Sequence, residues 1–483
     1  MKLNYKRIIL VGFAFFLIQA FWQAYDNTIP MILTNKFGMS QAWSGAIMAL
    51  DNVLALFMLP LFGAISDKHH SKWGRRTPFI VVGTLIAAVM LIALSFVDNA
   101  QLHHISDVAA IDDPAALETI YDREADETLL TPGGQKFVLS RQFTKEEFTQ
   151  IRSQITVDGA AVTNPDYTNY VMPARQACAW DATAKSPVTL VFFIALLLVI
   201  LVSMAVFRSP AVALMPDVTL KPLRSKANAV INLMGSAGGI LVLVLGMVFA
   251  TSAVRNSLMS YTGYFAVIAA IMLAALVVFM LTVRENEWAA EMQQQSVELG
   301  LEDKEEAATG ERKLSVDEVK SLIFLLLSIV LWFFGYNAVT SKYSVYASNI
   351  LHKDYNLTLI IAQAAAIISY LPVGFIASKV GRKKTILAGV VMLTAAFTTA
   401  SFMSAESPTM LMNAMFALAG IAWATINVNS FPMVVEMCSG GNVGKYTGFY
   451  YTASMAAQVA TPMLSGLLMD RMGMHVLFPY AAV

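Results

Sequence analysis

The chain is 483 residues long, 57% hydrophobic and only 14% charged, with 33 basic and 33 acidic residues and no formal net charge. That composition excludes a soluble globular protein, and the even charge removes any argument for nucleic acid as a partner. Apolar runs recur along nearly the whole length, so the lipid bilayer is the solvent the chain is built for.

Lys2, Lys6 and Arg7 precede the first run, Ile8 to about Tyr25, and place the N-terminus on the cytoplasmic side of a cell membrane. Gln19, Trp22 and Gln23 interrupt this run and no small-residue cleavage site follows, so it reads as a span and not a leader. Further runs lie near 42–65, 78–97, 188–207, 228–250, 260–283, 320–340, 357–377, 385–403, 409–430 and 447–468, about eleven in all, each near the roughly twenty residues needed to cross. Threaded alternately, they send the loops bearing Arg75/Arg76, Arg224/Lys226, Arg312/Lys313 and Arg382/Lys383/Lys384 to one side.

Two connections are long. Residues 98–186 fall outside the cell in this threading and are rich in Asp and Glu; such a loop is functional or separately folded, but it shows no metal or catalytic spacing, and His103–His104 reads as a solvated pair. Residues 284–318 are polar, helix-prone at first, and read as a cytoplasmic linker between an N-terminal bundle (1–283) and a C-terminal bundle (319–483). Cys178 and Cys438 fall on opposite sides and are not expected to pair. After Arg471 only a short apolar tail remains, about half a span; the natural chain is therefore expected to run past Val483, and as given it should leave open to lipid a face of the eleventh helix that includes some of Tyr450, Ser454 and Gln458.

Polar groups inside spans are costly without a partner or a cavity, so they mark function. Gln19, Trp22, Gln23 and Asp26 share one face of the first helix, and Asp51 and Asn52 open the second. Asn228, Asn232 and Ser236 repeat at four-residue steps on the fifth, flanked by Gly235, Gly238 and Gly239, which permit close helix contact. Trp332, Tyr336 and Asn337 lie on the seventh, Trp423, Asn427 and Asn429 on the tenth, and Gln458 on the eleventh. Amides and acids for hydroxyls, with aromatic faces for C–H surfaces, suit a sugar. The expected substrate contacts are Gln19, Trp22, Gln23, Asn232, Trp332, Tyr336, Asn337, Trp423, Asn427 and Gln458. Asp26 and Asp51, taken as the only acids of the first-half spans away from the basic loops, are the expected proton carriers.

The loop GAISDKHHSKWGRRTPFI, Gly63 to Ile80, sits between two apolar runs, and Gly374, Ser378, Lys379, Gly381, Arg382 and Lys383 repeat its Gly63, Asp67, Lys68, Gly74, Arg75 and Arg76 order. The loop resembles the signature between helices two and three of the major facilitator superfamily. Arg208, Pro210, Asp217, Arg224, Ala227 and Asn228, in a segment joining helices four and five, resemble sucrose- and maltose-type sugar:proton symporters, as do GRRTPFI and FPMVVEM. The resemblance covers nearly all of the chain except 98–186 and 284–318. It implies an all-α membrane protein of two six-helix bundles, the twelfth helix cut short, working by alternating access as a monomer, without a cofactor or a metal. Melibiose-type relatives carry two aspartates one turn apart in helix two; Ala55 and Leu59 stand at the turn-spaced positions after Asp51, so proton coupling is favoured over sodium. Asp67, Arg75, Arg76, Asp217 and Arg224 in one half, with Arg382, Glu436 and Lys445 in the other, are expected to form ion pairs holding the cytoplasmic side shut. The resulting reading is proton-coupled uptake of a glucoside or small oligosaccharide; an exporter of drugs or metabolites, or a sugar receptor that no longer transports, are the alternatives. No nucleophile–base pair suggests an enzyme.

Overall fold

Backbone polar groups have no water to bond in hydrocarbon, so a chain of apolar runs must satisfy them within helices. The computed structural model describes the chain apart from residues 1–2, 158, 221–222, 301–314 and 436–442. Its long helices are α1 (Tyr5–Asn35), α2 (Gln41–Lys68, interrupted at Ala49), α3 (Thr77–His104), α4 (Val188–Asp217), α5 (Arg224–Val248), α6 (Thr262–Thr282), α7 (Val316–Tyr346), α8 (Tyr355–Val380), α9 (Arg382–Ser401), α10 (Thr409–Val435) and α11 (Val443–Met472). Nine of these are long and apolar enough to cross a membrane on their described residues alone, and α8 adds a shorter apolar stretch, Tyr355–Tyr370.

Several helices outrun the expected spans. α1 continues ten residues beyond Tyr25, through Pro30, and α3 reaches the His103–His104 pair, which forms its last turn. α4 continues to Asp217, so the first part of the segment read as a connection between helices four and five is helical. The cause is shared: a helix need not stop where the hydrocarbon does, and only its apolar part is readable as a span.

The two largest clusters of buried apolar residues in the bundle are one drawn from α1–α6 and the start of the linker and one from α7–α11 with Met31 reaching across. α1 packs along α5, where a Cβ on Gly238 would stand 2.5 Å from the Phe16 carbonyl oxygen, so the small residue permits the approach. The short tail helix Leu477–Ala482 packs on α7 and α9, with Phe478 beside Tyr343, Tyr346 and Phe397. Tyr450 and Ser454 are buried, not open to lipid, because that face of α11 turns towards α7 and α10. This corrects the sequence expectation.

The long insert between α3 and α4 is a folded cap. Two antiparallel hairpins, Leu129–Leu130 with Lys136–Phe137 and Gln154–Val157 with Ala160–Thr163, sit among short helices that include Pro114–Glu124 and Met172–Lys185. Its core (Leu117, Ile120, Phe137, Phe148, Tyr167, Cys178) is continuous with Val254 and Leu258 from the α5–α6 connection, so the cap is built onto the first half. Cys178 is buried and free, and burial pushes its thiol pKa up; Cys438 lies outside the described residues. The membrane face bearing the cap is called the cap side below, and the opposite face, where the helix Glu285–Glu298 follows α6, the linker side.

Candidate functional site

A cavity of about 320 Å3 lies at mid-depth between the two halves. Gln19, Gln23 and Asp26 reach it from consecutive turns of one α1 face. Asn232 and Ser236 face them from α5, and Tyr336, Gln363, Tyr370 and Trp423 close the far wall. Gln363 donates to the Gln23 side-chain oxygen at 2.5 Å, one of the bonds that join the halves. Tyr336 stacks on Trp423 with centroids 5.9 Å apart, and Tyr370 meets the same indole edge-on at 6.1 Å. The wall is therefore aromatic on one side and amide-rich on the other.

Asp26 also lines a smaller space of about 110 Å3, shared with Asp51, Asn52, Asn337 and Gln458. Asn52 donates to Asp51 at 2.7 Å. The Arg208 guanidinium lies over the Trp22 ring, 5.6 Å from its centre, and is close enough to both carboxylates to interact with them electrostatically. Asp26 stands nine residues before the end of α1 and Asp51 ten residues into α2, so neither is at a helix tip.

Of the expected contacts, Gln19, Gln23, Asn232, Tyr336 and Trp423 line the larger cavity, and Asn337 and Gln458 the smaller. Trp22 does not: it packs on Phe21 and Tyr25 inside the first half. Trp332 lies against Phe333 (4.1 Å between centroids), one turn before Tyr336, and lines neither space. Asn427 lines neither space. Gln363 and Tyr370 were not expected; a lone amide in the apolar run of α8 was the available signal for Gln363. Asp26 and Asp51 are also not the only acids in the first-half spans. Asp98, read as the start of the loop, lies within α3, fully buried, with both oxygens 2.6 Å from Lys36 Nζ. Lys36 also donates to the Met259 carbonyl at 2.7 Å and stands over the Tyr261 ring, so this pair is fully engaged in joining α1, α3 and α6.

On the linker side, Arg75 (2.6 Å) and Arg76 (2.8 Å) share Asp217, and Arg76 also reaches Asp67. Glu285 accepts from the backbone of Arg75, Arg76 and Thr77, each at 2.8 Å. Arg224 is not in this set; it donates to the carbonyls of Thr219 and Pro216. Arg382 opens α9 in the other half, and Glu436 and the Lys445 side chain lie outside the described residues. The whole network joins α2, α3, α4 and the linker helix within one half. The ion pairs of Asp67, Arg75, Arg76 and Asp217 stay within the first half, and the part of the expected latch that rests on Glu436 and Lys445 lies outside the described residues.

Bonds between the halves are found at mid-depth and on the cap side. Lys342, fully buried in α7, donates to the Gln41 carbonyl at 2.6 Å. Asp470 of α11 accepts from the backbone of Gln41 and Ala42, both at 2.8 Å, and so caps the first turn of α2. Thr251 pairs with Tyr355 (2.7 Å) and Ser252 with Asp354 (2.9 Å). Backbones touch at two places, where a Cβ on Gly45 would lie 2.0 Å from the Pro462 oxygen and one on Gly466 2.2 Å from the Gln41 oxygen, and a Cβ on Gly246 would lie 2.3 Å from the Asn356 side-chain oxygen.

Comparison with known proteins agrees with this architecture. Residues 176–367 and 352–483, together well over half of the chain, match the Major Facilitator Superfamily profile, and residues 10–103 match the profile described as MFS/sugar transport protein. Two sucrose transport proteins of Arabidopsis thaliana are 39% identical over 67 residues (14% of this chain, 11% of theirs) and 36% identical over 59 residues (12% of each). The chain thus matches only about an eighth of the length of these curated relatives. Among solved structures, the xylose transporter XylE of E. coli in an inward-open conformation aligns with a TM-score of 0.58 at 14% identity, covering 99% of this chain and 94% of that one. An inward-facing bacterial homologue of the iron transporter ferroportin aligns at 0.59 and 13% identity, covering 100% and 96%. A mutant form of the nucleoside transporter NupG aligns at 0.57 and 12% identity, covering 99% and 96%. At these identities the likeness is one of fold, and together with the profile matches it places the chain in the major facilitator superfamily of multi-pass membrane transporters.

Proposed function

We propose that the chain is a secondary active transporter for proton-coupled uptake of a glucoside or small oligosaccharide, acting as a monomer in a cell membrane. The observation that carries this reading is the central cavity itself. Gln19, Gln23, Asn232 and Gln363 offer donors and acceptors for hydroxyls, while the Tyr336–Trp423–Tyr370 wall offers aromatic faces for C–H surfaces. The matches to sugar-transport sequences support the same class of substrate. Asp26 touches both this cavity and the smaller one with Asp51, so a proton held at either carboxylate is coupled to substrate through shared space and through Arg208. Basic residues at Lys68, Lys72, Arg75, Arg76 and Arg382–Lys384 favour the linker side, with the N-terminus, as cytoplasmic. With that sidedness, the cap-side bonds at Gln41 and Ala42 favour the inward-facing member of an alternating-access pair.

The test is transport in proteoliposomes. Radiolabelled disaccharides are expected to accumulate under an inward proton gradient, and Asp26→Asn or Asp51→Asn to abolish accumulation while sparing exchange. Sugar binding without counterflow would indicate a receptor, and gradient-driven movement of lipophilic compounds in place of sugars would indicate an exporter. Accumulation by both Asn variants would place the proton elsewhere.

A further inference from the structure

A larger cavity, about 460 Å3, lies on the cap side and shares no lining residue with the central one. Three bodies wall it: Thr131, Gln176 and Trp180 from the cap, Gln41 and Trp43 from the first half, and Asn349 from the second. The volume falls within the roughly 300–1,000 Å3 of small-molecule sites. The Trp43 and Trp180 side chains remain 63% and 42% exposed, so two indoles stand open at a polar pocket. Gln41 is only 6% exposed, yet its side-chain oxygen has no hydrogen-bond partner among the described residues, although its main chain is clasped by Lys342 and Asp470. A buried acceptor without a donor is costly, and a ligand hydroxyl would supply one.

The chemistry of the walls narrows the ligand. Asp470, the acid of the pocket, spends both oxygens on the backbone of Gln41 and Ala42, and the neighbouring Lys342 is turned onto the Gln41 carbonyl, so the pocket offers no cation for an anionic ligand. An acyl chain would leave Gln41, Gln176 and Asn349 facing hydrocarbon. A neutral polyhydroxylated molecule fits both features, with its C–H faces on the indoles and its hydroxyls on the amides. The pocket also exists only while the halves are closed on this side, since opening would carry Asn349 and Asp470 away from Gln41.

We propose that this seam pocket is a second, regulatory carbohydrate site, assembled in the cap-closed state and holding the transporter in it when occupied. It goes beyond the transport reading and shares with it only the class of ligand. Its ligand binds one conformation and not the other, and that difference alone shifts the population.

The test uses the purified full-length chain with maltose, sucrose, trehalose and lactose as calorimetric probes. In Trp423→Ala, where the central wall is damaged, at least one probe is expected to retain binding, and adding Trp43→Ala or Trp180→Ala should weaken it about tenfold. Trp43→Phe, which keeps an aromatic face at an exposed position, should recover most of the loss. The retained binding should also raise the labelling of a cysteine placed at Leu61 on the linker side. The proposal is overturned if no probe binds Trp423→Ala, or if retained binding ignores both cap-side substitutions, the two indoles then being interfacial aromatics only. Failure of the transport reading looks different: binding sensitive to Trp43→Ala but indifferent to Trp423→Ala.

Discussion

The two faces of the molecule hold themselves together by different means. The linker side carries a dense set of ion pairs around Asp217, Asp67 and Glu285, yet all of it lies within one half. The seam between the halves on the cap side has few charges, but Lys342 and Asp470 of the second half grip the backbone at Gln41 and Ala42 of the first. Which face is shut therefore depends on where the bonds lead and not on how many charges gather there. A charged cluster read from sequence reports a rigid corner; only its connectivity reports a gate.

Four substitutions probe this difference. The largest effect is expected at the Lys36–Asp98 pair, which is fully buried yet internal to one half. Lys36→Met leaves a buried carboxylate unpaired and should cost about 3–5 kcal/mol of stability. It should be read as a loss of folded protein in thermal denaturation, with the survivors unchanged in cysteine accessibility on both faces. Asp470→Ala comes next. It removes two part-buried backbone bonds to a carboxylate, together worth about 3 kcal/mol, and should raise cap-side labelling at least tenfold, whereas unchanged labelling would remove the gate from this site.

The third contrast is Trp423→Ala in the central wall, expected to weaken sugar binding roughly tenfold with near-normal yield, while a purely structural indole would reduce yield at unchanged affinity. The smallest effect is expected at Asp67→Asn. Its carboxylate is 59% exposed, so the pair with Arg76 contributes no more than about 1 kcal/mol, and state-dependent labelling should stay as in wild type. A clear shift in accessibility there would support a latch across the linker side.

The helices and the central cavity were legible because hydrocarbon penalises isolated polar groups, and Gln19, Gln23, Asp26, Asn232 and Trp423 stand out for that reason. The same rule applied to Gln363, an amide alone in the run IIAQAAAI, but one residue among many small ones carries little contrast. Asp98 was missed by one residue: a hydropathy boundary marks where apolar character ends, while the helix carries on to where its partner Lys36 waits. Trp22 and Trp332 show the converse limit. Helical spacing puts a side chain on a face, but the packing of Phe21, Tyr25 and Phe333 decides whether that face meets a cavity. The cap's hairpins, two to four residues per strand, leave no periodic trace for a sequence to show.

The glycines of the cap-side seam bear on how the molecule would move. Where Gly45 meets Pro462, Gly466 meets Gln41 and Gly246 meets Asn356, at least one side of each contact is bare main chain with no side chain to interlock. A gap of about 1 Å already forfeits up to half of the dispersion between such flat surfaces, and at Gly45–Pro462 and Gly466–Gln41 no rotamer has to swing aside to let them part. Friction between the halves is accordingly low, and the seam behaves like a snap fastener: held at a few polar studs, smooth between them, and with little to favour any half-open position.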